Sequence, residues 1–128
     1  MILPLVGFAP EGDEEWSAEH LDLTTTLPNE VRRLVVEYLD SCPVVVPWMG
    51  YTEDEIGGRF SVPAGAALST DGVYFWRVDA ARYVEEYGFA IPQAAIDHFV
   101  SVEWSPPSLD RATLIAIERE IDRITGWA

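Results

Sequence analysis

Residue types able to do covalent chemistry are sparse in this chain, which has one cysteine and two histidines. A nucleophilic pair would join Cys42 to His20 or His98. A thiol becomes a nucleophile when a cation or a helix N-terminus lowers its pKa. Cys42 instead follows a helical pattern and precedes Pro43, so a small buried hydrophobe is its expected role. Asp97-His98 sits beside Phe99 in a short helical stretch, a setting that suits a boundary histidine better than a general base. His20-Leu21-Asp22 and Glu53-Asp54-Glu55 offer oxygen and nitrogen ligands, but neither has the spacing of a built cation loop. Carboxylate pairs of the glycosidase kind carry no signal in a chain this acidic. Gly57-Gly58-Arg59 is too short for a phosphate cradle and follows three acids. No nucleophile elbow, Walker or dinucleotide motif occurs. No catalytic residue, metal ligand or cofactor is therefore expected, and the chain reads as a non-enzyme.

Charge is the more informative property. Twenty-two acidic residues face eight basic ones, a formal net charge of -14 over 128 residues. The basic residues are all arginine: Arg32, Arg33, Arg59, Arg77, Arg82, Arg111, Arg119 and Arg123. Such a field disfavours nucleic acid and anionic membranes, whose phosphates need positive charge. It attracts cationic macromolecules and speeds their encounter. The competing explanation is that acidity serves solubility alone.

Aromatic residues stand next to the acids. Trp48, Met49 and Tyr51 lead into Glu53, Asp54 and Glu55, and Trp16 closes the run Glu11, Asp13, Glu14, Glu15. Aromatic anchors beside carboxylates suit an interface with a basic protein, the rings filling pockets and the acids pairing with lysine or arginine. Those nine residues, Trp48, Tyr51, Glu53, Asp54, Glu55, Glu11, Asp13, Glu14 and Glu15, are the candidate contacts. The alternative for each ring is the core.

The elements that position them follow from periodicity. Residues 1–10 read as a short strand or an apolar arm on the core. Residues 11–22 read as a loop with about one helical turn. A helix starts near Pro28, with Thr25 or Thr26 as its cap. Its apolar face is Val31, Leu34, Val35, Tyr38 and Leu39, and Pro43 ends it near residue 41. Val44–Val46 reads as a strand, placed at an edge by Pro47. Residues 51–58 read as a polar loop, its glycine pair allowing positive φ or close approach, and Phe60–Val62 as a short strand. Asp71-Gly72 between two apolar runs marks a hairpin. Tyr74, Phe75 and Trp76 then alternate faces, so one of them points away from the core unless both faces are covered.

Asp79 is placed as the N-cap of a second helix, stapled by Val78 and Tyr83 and stopped by Gly88. Pro92 opens a third helix that buries Ile96, Phe99 and Val100, and Val102–Trp104 reads as a strand. Ser108 caps a last helix with a seam of Leu114, Ile117, Ile121 and Ile124. Gly126 stops it, and Trp127 folds back on Ile121. The expected whole is one acidic α+β domain over 1–128, a small, mostly antiparallel sheet packed against three or four helices.

The run Thr70-Asp-Gly-Val-Tyr-Phe-Trp-Arg-Val-Asp-Ala-Ala-Arg-Tyr-Val-Glu-Glu-Tyr-Gly88, with Ile91-Pro92 and Asp97-His98-Phe99, resembles a segment of small bacterial immunity-type proteins of toxin systems. In these, a turn and an aromatic strand lead into a helix and then a proline-led helix. The resemblance covers about residues 56–100. It implies a scaffold and no active site. It also implies an inhibitor that binds and neutralises a cationic toxin domain. Alternative readings are a nucleic-acid mimic that blocks a DNA-binding protein, and a small enzyme of unrecognised type. The lone cysteine allows no internal disulfide and fits a reducing compartment. The first residues lack a basic region and are interrupted by Pro4, and no apolar run reaches membrane-spanning length. A cytoplasmic protein is expected.

Overall fold

A computed structural model of the chain describes residues 2–12 and 14–126. Asp13 and Trp127 lie outside the described residues. The fold is α+β, as the periodicities require. Six strands and four α-helices are present among the described residues: β1 (Leu3–Pro4), α1 (Asn29–Ser41), β2 (Val44–Val46), β3 (Tyr51–Glu53), β4 (Ser61–Pro63), β5 (Leu68–Thr70), β6 (Tyr74–Arg77), α2 (Ala80–Tyr87), α3 (Gln93–Ser101) and α4 (Arg111–Thr125).

The main sheet runs β1-β6-β5-β2. The β5–β6 hairpin turns at Asp71-Gly72 and aligns Thr70 with Phe75. β2 is antiparallel to β5, whereas β1 lies parallel to β6. Pro47 follows β2, an edge strand, where a missing N–H costs no ladder bond. A separate two-stranded sheet pairs β3 with β4.

Both faces of the main sheet are covered. Phe75 packs with Ile2, Leu68, Ile117 and Ile121 under α4. Its neighbour Trp76 points the other way, into a core with Val35, Tyr38, Val84 and Phe99 from α1, α2 and α3. This two-sided cover resolves the alternation of Tyr74, Phe75 and Trp76: Phe75 and Trp76 are both buried, and Tyr74 is half-buried. The apolar arm of residues 1–10 buries Ile2, Leu5, Phe8 and Ala9.

Several local expectations are corrected. Thr25 and Thr26 do not cap α1, which begins after Pro28 with no side-chain cap; Thr26 instead bridges Phe89. Ser108 does not cap α4. Asp110 does, accepting the Thr113 N–H at 2.8 Å, because it stands immediately before the first helical residue. Val102–Trp104 is not a strand. Glu103 and Trp104 take φ values of 56° and 58°, and the Trp104 N–H returns to the Phe99 carbonyl at 2.9 Å to close α3. Val100 is 53% exposed, and Ala95 takes the buried place beside Phe99. Asp79 makes no side-chain cap for α2, because its carboxylate is committed elsewhere. The stops at Gly88 and Gly126 are as expected, at φ 70° and 73°.

Candidate partner-binding surface

Residues 51–58, expected as loop, begin with strand β3. Strand alternation decides what this segment offers. Tyr51 and Glu53 point outward, and Thr52 between them points in, its hydroxyl donating to Asp79 Oδ2 at 2.8 Å. Gly65 permits that contact: a Cβ there would lie 1.8 Å from Thr52 Oγ1. Asp79 is buried and also receives the Arg77 guanidinium through both oxygens, Nε to Oδ1 at 2.9 Å and Nη2 to Oδ2 at 2.8 Å. Arg77 in turn lies over the Trp16 ring, 4.2 Å from its centroid. One chain of contacts therefore joins the β3–β4 hairpin to the acidic loop of residues 11–16.

A row of rings makes the same connection. Trp16 packs on Tyr83 at 5.5 Å between centroids, and Phe60 meets Tyr83 edge-on at 4.9 Å. The Tyr83 hydroxyl accepts the Glu55 N–H at 3.1 Å. Burial, reinforced by the charges of Asp79, Glu55 and Asp54, pushes the Tyr83 phenol up to about 12, against a smaller opposing effect of that N–H. The Trp16 indole is fixed by donating to the Gly7 carbonyl at 2.8 Å.

Against this frame the outer residues are bare. Trp48 is 58% exposed, Met49 95% and Tyr51 75%. Glu11, Glu14, Glu15, Glu53 and Glu55 are exposed, and none has an ion-pair partner among the described residues. Some acids elsewhere are engaged, since Arg82 holds Asp40 and Glu85 and Arg59 reaches Glu86, whereas Glu19, Glu30, Glu37 and Glu103 are exposed and unpaired among the described residues as well. Trp48 and Glu15 line one cavity of about 160 Å³ with Trp16 and Arg77, so the two acidic-aromatic segments named from sequence meet.

Asp54 does not belong to the contact set. It is only 6% exposed, and its oxygens are occupied. They accept the N–H groups of Ile56 at 2.8 Å, Arg59 at 2.9 Å and Gly57 at 3.3 Å, together with the Tyr87 hydroxyl. Burial alone would raise its pKa. The hydrogen bonds from Tyr87, Arg59, Ile56 and Gly57 outweigh it and hold the carboxyl below the usual range. Asp54 shapes the loop that presents Glu53 and Glu55. The glycine pair serves the same turn: Gly58 has φ 64°, and a Cβ on Gly57 would lie 2.6 Å from Tyr87 Oη.

The groups weighed for chemistry lie elsewhere. Cys42 is buried, and its thiol points at the Tyr38 carbonyl 3.3 Å away. Burial, then the nearby Asp71 charge, pushes it up to about 12, the opposite of nucleophile activation. His98 does meet a carboxylate, with Nε2 3.2 Å from Asp71 Oδ2 but at an angle that makes no hydrogen bond. Asp71 is buried. It accepts the Tyr38 hydroxyl at 2.7 Å and the N–H groups of Val73 and Tyr74 at 2.9 and 2.7 Å. This knot ties α1, the hairpin turn and α3 together. Sequence reasoning missed it, although an aspartate opening an Asp-Gly turn is a known acceptor of the turn's own amides.

No protein-family model, curated protein or solved structure matches the chain. No helix among the described residues is long and apolar enough to cross a membrane.

Proposed function

We propose that this chain is a binding protein for a cationic protein surface, an immunity-type inhibitor that occupies and neutralises a basic toxin domain. The observation that carries the reading is the exposure of Trp48, Met49 and Tyr51 next in the chain to Glu53 and Glu55, with Trp48 sharing a cavity with Glu15 of the run Glu11, Glu14, Glu15; these acids have no ion-pair partners among the described residues. Large apolar side chains in water are unfavourable, and a cluster of them rimmed by charge is the usual composition of a docking site. The rings supply buried area. The carboxylates supply steering and choose a partner of opposite sign.

A toxin that acts on nucleic acid presents a basic cleft, and an acidic inhibitor competes for it directly. Residues 70–88, the longest run within the resemblance of about residues 56–100, build the β6–α2 scaffold that carries Arg77 and Asp79. The working compartment proposed is the cytoplasm.

The test is capture from host lysate at low ionic strength, with elution by rising salt. The expected eluate is a basic protein that stops growth when expressed alone. Co-expression of this chain restores growth, and the Trp48→Ala variant does not. Retention of the captured protein regardless of salt would remove the electrostatic argument. Failure to restore growth would remove the inhibitor role.

A further inference from the structure

The cavity shared by the two acidic-aromatic segments has a composition that specifies more than general docking. Its lining is Pro10, Glu15, Trp16, Trp48, Ala66 and Arg77. Two indoles form walls, and the Glu15 carboxylate stands exposed beside them. Arg77 brings a positive charge that at first sight favours an anion. Both oxygens of Asp79 answer that charge, however, and Trp16 covers its flat face. With one arginine against Asp79 and Glu15, the slot keeps one net negative charge. The molecule already shows the chemistry that such walls accept: a guanidinium lying on an indole while a carboxylate holds its N–H groups.

We propose that the slot between Trp16 and Trp48 takes one cationic side chain of the partner, lysine or arginine, with its charge against Glu15 and its stem on the Trp48 ring. This rests on the cationic-partner reading and deepens it by naming the anchor. Aromatic faces attract cations through their quadrupole, and the attraction grows as the pair loses water. Trp48 is exposed in the free protein. Burial of its ring on binding therefore adds apolar area to the ionic contact, the combination found at interface hot spots.

Small probes test the slot without a known partner. Butylguanidinium and butylammonium imitate arginine and lysine; butylurea is the neutral counterpart and butyrate the anionic one. Titration is followed by the indole N–H and backbone amide signals of the isotope-labelled protein. Both cations are expected to shift the Trp48 indole and the Glu15 amide saturably, the lower dissociation constant naming the preferred side chain. Trp48→Ala and Glu15→Gln are expected to weaken binding about fivefold, the size of one exposed cation–π or ionic contact. Glu118→Gln makes the same charge change on α4 and leaves it unaltered. Equal shifts with butylurea, stronger ones with butyrate, or equal weakening by Glu118→Gln would overturn the slot.

Polyarginine peptide at low salt separates the two levels. If it binds wild type and Glu15→Gln alike, the slot is wrong and the cationic-partner reading stands. If small cations saturate the slot while polyarginine binds nowhere, the slot stands and the broader reading falls.

Discussion

Arg77 and Asp79 form a two-bonded ion pair beneath the proposed docking surface, with 13% and 1% of their side chains exposed. A buried carboxylate is tolerable only while its partner remains. Asp79 also holds Thr52, so the pair fixes β3 to the end of β6. Asp79→Ala is expected to cost about 3 kcal/mol, because it leaves the Arg77 guanidinium and the Thr52 hydroxyl without their acceptor. Asp79→Asn should fall between that variant and wild type. Urea unfolding measures both. A loss below about 1 kcal/mol for Asp79→Ala would show that water replaces the carboxylate without penalty.

Asp54 shapes the neighbouring loop in the same manner, with backbone amides as donors. Asp54→Asn offers one acceptor oxygen where the carboxylate offered two, so about 2 kcal/mol of stability should be lost. Wild-type stability should also depend on acid through this group. Its folded pKa lies below the ordinary value of 3.8. Its contribution is therefore complete above the unfolded pKa and disappears as pH falls through the folded one. A carboxyl-carbon NMR titration in which Asp54 moves at or above the ordinary aspartate pH would contradict this.

What could be read in the sequence, and what could not, follows from the range of the forces. The hairpin at Asp71-Gly72, the seam of α4 through Ile117 and Ile121 and the stop at Gly88 are set by neighbours within a few residues, and all are present. Trp48 and Tyr51 are exposed as a contact role requires. Asp79 misled, because the residue before a helix is a cap by local rules, whereas a long-range pair with Thr52 and a bond to Arg77 claimed it. The spacing Arg77-x-Asp79 was a usable signal, since residues two apart at a strand end share a face.

Asp54 misled for a similar reason: a carboxylate in an acidic run looks solvated until Tyr87, which lies far along the chain, is brought over it. The Asp-x-x-Gly-Gly pattern that begins at Asp54 is itself the mark of a side chain that accepts its own turn's amides. The meeting of Glu15 with Trp48 had no local signal at all, because it depends on the packing of Trp16 against Arg77 and Tyr83.

Alkaline pH should unfold the protein in a defined window. Burial raises Cys42 from 9.0 and Tyr83 from 10.0, each to about 12. For both groups the folded state holds the proton more tightly than the unfolded one. Their stabilising protonated contacts are intact below the unfolded pKa and are lost as pH rises towards the folded value. Stability should thus decline from about pH 9 and still be falling at pH 12, because burial and the Asp71 carboxylate also raise Tyr38. Cys42 should be unreactive to a thiol reagent at neutral pH and become reactive together with loss of the helical signal. Thiol reactivity well before unfolding would mean that the site opens locally.

Gly65 offers a test of the hairpin's attachment that is independent of charge. Its missing side chain leaves room for Thr52, whose Oγ1 would be 1.8 Å and whose Cβ would be 3.0 Å from an added Cβ; Asp79 Oδ2 would be 3.2 Å away. Gly65→Ala must push Thr52 aside or separate β3 from its anchor, and about 2 kcal/mol is the expected cost of such overpacking. Thr52→Ala removes the nearest atom and one hydrogen bond, so alone it should cost about 1 kcal/mol. Combined, the two changes should be less harmful than their sum, because the clash and the hydroxyl are the same event. The surface above should respond in step: Gly65→Ala is expected to weaken partner binding through displacement of Tyr51 and Glu53, and the double variant to recover part of it. Additive losses in both stability and binding would show that Gly65 and Thr52 act separately and that the hairpin is held by other contacts.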